Sequence, residues 1–183
     1  MLDLTDILNE FFDVLEREAK VLQSHYDQYA VDISRLREEY FHYMLIRHVL
    51  SGKMIQSINK IEPERYYDDA HERCDIVLNN DIYIEVKMWQ EGSVSRLAND
   101  LKKLSTYIKD EKAIRCLLII SMYPLKSYKT RKAVEEDYAD TIEKIKIDGI
   151  NIQRSLLKIS DPNFKEKGEP HYLTSALFIL SEV

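Results

Sequence analysis

The stretch Cys74-Asp75-Ile76-Val77-Leu78-Asn79-Asn80-Asp81-Ile82-Tyr83-Ile84-Glu85-Val86-Lys87 decides how this chain folds. Two runs rich in β-branched and aromatic residues flank Asn-Asn-Asp, a cluster that favours turns. The pattern predicts a β-hairpin with strands Cys74–Leu78 and Ile82–Met88. Burial fixes its register. A two-residue turn sets Asp75 against Ile84 or Val86 and places a carboxylate in an apolar row. A three-residue turn pairs Leu78 with Ile82, Ile76 with Ile84 and Cys74 with Val86, every pair apolar. The other face then holds Val77 opposite Tyr83 and Asp75 opposite Glu85, with Lys87 one alternation beyond Glu85.

Opposed Cβ atoms lie roughly 4.5–5.5 Å apart, close enough for two carboxylates to grip one cation. Like charges at that spacing are unfavourable unless a cation, a proton or a nearby ammonium compensates. Hard oxygen ligands suit Mg²⁺, with Mn²⁺ as a second choice, and Mg²⁺ keeps waters and bridges phosphates. Lys87 is placed to reach an attacking water or the charge developing on a phosphate. Metal-activated water, a Lewis acid and a fixed cation together are the chemistry of phosphodiester hydrolysis. The competing reading is a surface hairpin with an incidental Asp/Glu/Lys salt bridge. It leaves paired acids unexplained on a face that otherwise bears Val77 and Tyr83.

Outward from the hairpin, Leu4, Leu8, Phe11, Leu15 and Leu22 repeat at helical steps and predict a helix to about Tyr26. A second helix is expected over roughly 32–50, stopped by Ser51-Gly52. Met54–Ile58 reads as a short strand, followed by a loop around Pro63. After the hairpin come a helix from Val94 to Ile108, then Ile114–Ser121 (IRCLLIIS), an apolar run expected of a strand covered on both faces. A charged helix over 127–147 and strands over Ile150–Ile159 and Leu173–Ser181 close the chain. The order is α-α-(β)-β-β-α-β-α-β-β, one mixed α/β domain spanning 1–183.

Asp75 followed by Glu85-Val86-Lys87 across a short hairpin resembles the core motif of the PD-(D/E)XK nuclease superfamily, with Cys74 where the name has Pro. The resemblance covers about 34–123 and implies a restriction-endonuclease-like αβββαβ core, with a central mixed sheet flanked by helices. Residues 1–30 are then a helical extension, and 124–183 supply a C-terminal helix and strands. It implies that Asp75 and Glu85 bind Mg²⁺, that Lys87 assists catalysis, and that an acid on the preceding helix joins them. That acid is Glu39 or Glu38, with Glu39 preferred. Asp100-Leu-Lys-Lys-Leu104 is similar to a segment that helps hold the site or the nucleic acid, which nominates Lys102 and Lys103 for substrate binding. Gln90, just past the motif strand, is a candidate for the site edge. The implied activity is a Mg²⁺-dependent nuclease acting on DNA, endonucleolytic, in restriction, defence or repair. The alternative is an inactive nuclease-fold protein that binds nucleic acid or a protein partner.

Composition bounds these readings. The 183 residues are 45% hydrophobic and 32% charged, which excludes disorder and suits a buried core. Net charge is −6, which counts against a protein that coats nucleic acid. Its distribution is uneven: residues 1–40 hold ten acids and four bases, whereas 96–132 hold ten bases and three acids. The second region could face a polyanion, although a solvated helix face is the commoner meaning of a charge run. Cys74 and Cys116 read as buried thiols, with neither disulfide framework nor zinc cluster. His42, His48 and His71 lack ligand-like spacing with a carboxylate and read as ordinary histidines. Trp89 and the tyrosines read first as packing residues. Scattered glycines exclude a dinucleotide fingerprint or a P-loop, and there is no G-x-S-x-G elbow or H-E-x-x-H helix. No apolar run reaches the ~20 residues of a membrane span, and the acidic N-terminus lacks signal-peptide features, so a cytoplasmic location is expected. The N-terminal stripe would fold back on its own domain by default, or pair two copies as a homodimer.

Overall fold

A computed structural model describes residues 3–29, 36, 38–50, 58–67, 71–89, 94–145, 150–166 and 169–182. In chain order the elements are α1 (Leu4–Tyr29), α2 (Glu38–Met44) continued by a π-helical stretch (Leu45–Leu50), β1 (Ile61–Tyr66), β2 (Arg73–Leu78) and β3 (Ile82–Trp89). They continue as α3 (Val94–Tyr107), β4 (Ile114–Pro124), α4 (Arg131–Ile145), β5 (Ile150–Ile159), β6 (Phe164–Glu166) and β7 (Glu169–Glu182). The strands form one mixed sheet in the order β1-β2-β3-β4-β7-β5, with β6 paired to β7. Among the described residues only β3 and β4 run parallel, and α3 makes the crossover between them.

The hairpin has the three-residue turn that its apolar alternation requires. Leu78 pairs with Ile82, Val77 with Tyr83 and Ile76 with Ile84. Asn79 and Asn80 take left-handed backbone, φ 54 and 68, which asparagine tolerates better than most residues. The Asn79 side chain ties the turn to the start of β1, its Oδ1 accepting from the Asn59 N–H at 2.8 Å.

Two apolar cores lie on the two sheet faces. On one, Ile76, Leu78, Ile84, Val86, Leu118 and Ile120 meet Leu8, Phe11 and Leu15 of α1 and Phe41 and Met44 of α2. On the other, Val77, Leu117, Ile119 and Phe178 meet Leu97, Leu101 and Leu104 of α3 and Val134 and Tyr138 of α4. β4 is therefore covered on both faces, which is why its sequence is apolar without alternation. Asp3 caps α1, its Oδ1 accepting from the Thr5 N–H at 2.8 Å, and Thr130 caps α4, its Oγ1 accepting from the Ala133 N–H at 3.2 Å.

Three sequence expectations change. The segment around Pro63 is strand β1, not loop; as an edge strand β1 tolerates a proline, and Pro63 lies opposite Ile76. Cys74 does not share the face of Ile76 and Val86. It packs with Tyr67 and Val77 on the α3 side, because regular hairpin pairing stops at Ile76–Ile84 and the alternation is lost beyond it. The helix expected from 127 begins at Arg131, after a turn in which the Ser127 and Tyr128 N–H groups donate to the Pro124 carbonyl. The stripe Leu4, Leu8, Phe11 and Leu15 of α1 is buried in the chain's own core, the folding back expected of it by default. The expected strand segment 54–57 and residues 32–35 and 37 of the second helix lie outside the described residues. No helix among the described residues is long and apolar enough to cross a membrane.

Candidate active site

The site is made where the hairpin comes apart. Pairing between β2 and β3 ends at Ile76–Ile84, whereas β3 runs on beside β4 as far as Trp89. Strand N–H groups left without a ladder partner must find other acceptors. Two carboxylates serve: the Val86 N–H donates to Asp75 Oδ2 at 2.7 Å, and the Met88 N–H donates to Glu38 Oε1 at 3.3 Å. This fixes both acids along the free edge of β3. Glu85 and Lys87, opposite Leu117 and Ile119 of β4, project to the α3 side between them.

β1 is interrupted at the same level. Pro63 and Arg65 pair with Ile76 and Cys74, but Glu64, with φ 51, leaves the ladder beside Asp75. Its carboxylate lies 3.8 Å from His42 Nδ1, and the other ring nitrogen, Nε2, lies 3.3 Å from Asp75 Oδ2. The second contact is too poorly aligned for a regular hydrogen bond, and Nε2 is shut off from solvent.

Asp75 and Glu85 are in side-chain contact, and their environments drive their acidities apart. Burial and then the charge of Asp75 push Glu85 up to about 9, so it holds a proton at neutral pH; Tyr67 donates its hydroxyl to Glu85 Oε1. Burial also acts on Asp75, but His42 and the Val86 N–H outweigh it and hold Asp75 below the ordinary carboxylate value. The pair thus carries one charge and one proton.

Lys87 Nζ lies 3.1 Å from Glu38 Oε2 and 3.8 Å from Asp100 Oδ2. Burial works against its charge, yet Asp100 and Glu38 raise its pKa above the usual value. Asp100, from α3, is raised by burial despite Lys87 and Lys103, and its Oδ2 is buried without a hydrogen bond. His42 also sits above its usual value: burial lowers it, and Asp75 and Glu64 more than reverse that.

Of the residues singled out in the sequence, Asp75, Glu85 and Lys87 come together. The helix acid beside them is Glu38, and Glu39 is exposed. Phe41, Met44 and Leu45 set the rotation of the helix by facing the core. Residues 38 and 42 then share the site face, while residue 39 is turned about 100° away. Lys103 bridges Glu72 at 2.6 Å and Asp100 at 3.8 Å, and exposed Lys102 lines an open groove along α3 with Asn99, Thr106 and Tyr107. Gln90 lies outside the described residues.

His42, Glu64 and Tyr67 were not legible as site residues; the only hint was the four-residue spacing from Glu38 to His42. Trp89 packs against Tyr123 and Tyr138. The basic run is not one face. Arg115 is buried and donates from Nη2 to the Ile108 carbonyl at 2.7 Å, while Arg131 and Lys132 pair with Glu135 and Glu136 along α4.

The donor set suits a hard divalent cation. Asp75 and Glu85 offer carboxylate oxygens, and the proton on Glu85 occupies the place of a removable positive charge. Glu38, Glu64 and Asp100 add negative charge around them, met by Lys87, Lys103, Arg73 and His42. No protein-family model matches the chain, and no curated protein matches it.

Proposed function

We propose that this chain is a divalent-metal-dependent nuclease of the PD-(D/E)XK type that hydrolyses phosphodiester bonds in DNA, an endonuclease of restriction, defence or repair type. The observation that carries this reading is the contact of Asp75 with Glu85 at the open end of the hairpin, with Lys87 one alternation further along. The run α2-β1-β2-β3-α3-β4 supports a restriction-endonuclease-like αβββαβ core.

Asp75 and Glu85 would hold Mg²⁺ or Mn²⁺, which when bound lowers the pKa of a ligated water and polarises the phosphate. To serve as a ligand, Glu85 would have to give up its proton. Lys87, held charged by Asp100 and Glu38, is no general base; its ammonium is suited to the charge that develops on the phosphate oxygens. Glu38 anchors Lys87 and the edge of β3 at once, and so positions the ammonium. Lys102 and Lys103, which line the groove along α3, would supply phosphate contacts.

A second reading, a nuclease fold that only binds nucleic acid or a protein partner, is favoured by the net charge of −6 and by the two ion pairs that already engage Lys87. Plasmid and single-stranded DNA incubated with Mg²⁺ or Mn²⁺ separate the two. The enzyme reading expects cleavage that Asp75→Ala and Lys87→Ala each abolish. Absent cleavage, or cleavage that survives both substitutions, defeats it.

A further inference from the structure

A cavity of about 650 Å³ opens where the start of β4, the end of β7 and the early part of β5 meet the first turn of α1. Its volume falls within the roughly 300–1,000 Å³ usual for small-molecule sites. Leu4, Ile179 and Leu180 give it an apolar wall. Among the described lining residues, three cations, Lys112, Arg115 and Arg154, stand against one carboxylate, Glu111. Arg115 is only 3% exposed, and its Nη2 donates to the carbonyls of Ile108 at 2.7 Å and Asp110 at 3.2 Å, which orients the guanidinium. Arg154 is exposed; its Nη2 donates to Thr5 Oγ1 at 3.2 Å, and its charge also acts on Asp3. The β5 wall carries a bulge. Pairing with β7 steps from Ile152–Leu180 to Arg154–Ile179 and leaves Gln153 as the extra residue. Strict alternation would send Gln153 and Arg154 to opposite faces, yet across the bulge both line the cavity.

We propose that this cavity binds a nucleoside monophosphate, at a site separate from Asp75, Glu85 and Lys87. The lining sets the class of ligand. Two guanidinium forks and an ammonium match the oxygens of a phosphate. The apolar wall suits the face of a flat ring, and the Gln153 amide, which both donates and accepts, suits the edge of a base. A bare anion would leave the apolar wall unused, and a purely apolar ligand would leave the cations unmatched. Three cations against Glu111 match one phosphate group, which carries about −2, and Asp3 beside Arg154 disfavours a longer phosphate chain. No serine, cysteine or histidine is among the described lining residues, so the site holds a ligand and does not convert it. Arg115 lies opposite Tyr83, whereas Glu85 and Lys87 lie opposite Leu117 and Ile119. From there the cavity extends over β7 and β5, away from β3. The proposal does not rest on the nuclease reading.

AMP is the probe, titrated into the full chain in chelator and without DNA, and followed by calorimetry and by amide chemical shifts. Adenosine and ribose 5-phosphate each lack half of the ligand, and each should bind roughly tenfold more weakly than AMP or worse. AMP should shift the amides of residues 113–115, 153–154 and 179–180 and leave those of 85–87 in place. Arg154→Ala and Lys112→Ala, both at exposed positions, should each weaken AMP by roughly tenfold. Lys87→Ala should leave AMP affinity unchanged. Four results overturn the proposal: no saturable AMP binding by the wild type, shifts centred on 85–87, ribose 5-phosphate binding as tightly as AMP, or full affinity in both Arg154→Ala and Lys112→Ala. The first three need no variant to fold. AMP binding without DNA cleavage in the plasmid assay would sustain this site and defeat the nuclease reading. Cleavage without AMP binding would do the reverse.

Discussion

Glu85→Gln should change how stability depends on pH more than it changes stability itself. In the folded, metal-free chain Glu85 keeps its proton up to about 9, against an ordinary value of 4.5. Between those limits the folded chain binds a proton that the unfolded chain has released, so stability falls as pH rises. The penalty is absent below about 4.5 and complete above about 9. One proton corresponds to about 1.4 kcal/mol per pH unit. Between about pH 6 and about pH 8 the wild type should therefore lose at most about 3 kcal/mol from this group. Glutamine keeps the shape and cannot ionise, so the variant should lack this slope. His42, also held above its ordinary value, loses stability in the same direction as pH rises, but it is present in both proteins and largely cancels in the comparison. Urea unfolding of both proteins in chelator at the two pH values gives the difference directly. Parallel losses in the two proteins would refute the buried, protonated Glu85. Saturating Mg²⁺ should flatten the wild-type slope, and Mg²⁺ affinity should climb by up to about tenfold per pH unit towards pH 9, since the metal displaces one proton.

Lys87→Met should abolish cleavage and cost roughly 1–3 kcal/mol in urea unfolding, because it leaves the buried Asp100 carboxylate with a weaker partner set. A wild-type midpoint would show that the ion pairs contribute nothing. Glu38→Gln should reduce cleavage, whereas Glu39→Gln should leave cleavage alone and stability within about 0.5 kcal/mol, since Glu39 is exposed. The reverse ranking in a plasmid assay would place the helix in the wrong rotation. Ile76→Ala, at a fully buried position in the last regular rung of the hairpin, should destabilise by about 2–5 kcal/mol. A loss well under that range would mean that the first core collapses around the missing side chain.

How much was legible divides along the range of the forces involved. The hairpin register could be read from the sequence because it depends on neighbours alone: Ile76, Leu78, Ile82 and Ile84 align on one face under only one turn length. The same alternation set Glu85 and Lys87 together, and the unbroken apolar run of β4 announced a strand buried on both faces. The sequence by itself therefore determined a mixed α/β fold and the acid-acid-lysine set. Its rule failed at Cys74, where the ladder that enforces alternation has ended. The choice of Glu38 over Glu39 was beyond it, because a helix's rotation is set by what Phe41, Met44 and Leu45 pack against, and that surface lies far away in the chain. His42, Glu64 and Tyr67 became site residues only through packing, as a helix and a broken edge strand converge on one edge of β3. Local periodicity encodes which way a side chain points along its own element. Where elements from distant parts of the chain meet, and so which charges share a site, is a property of the assembled core.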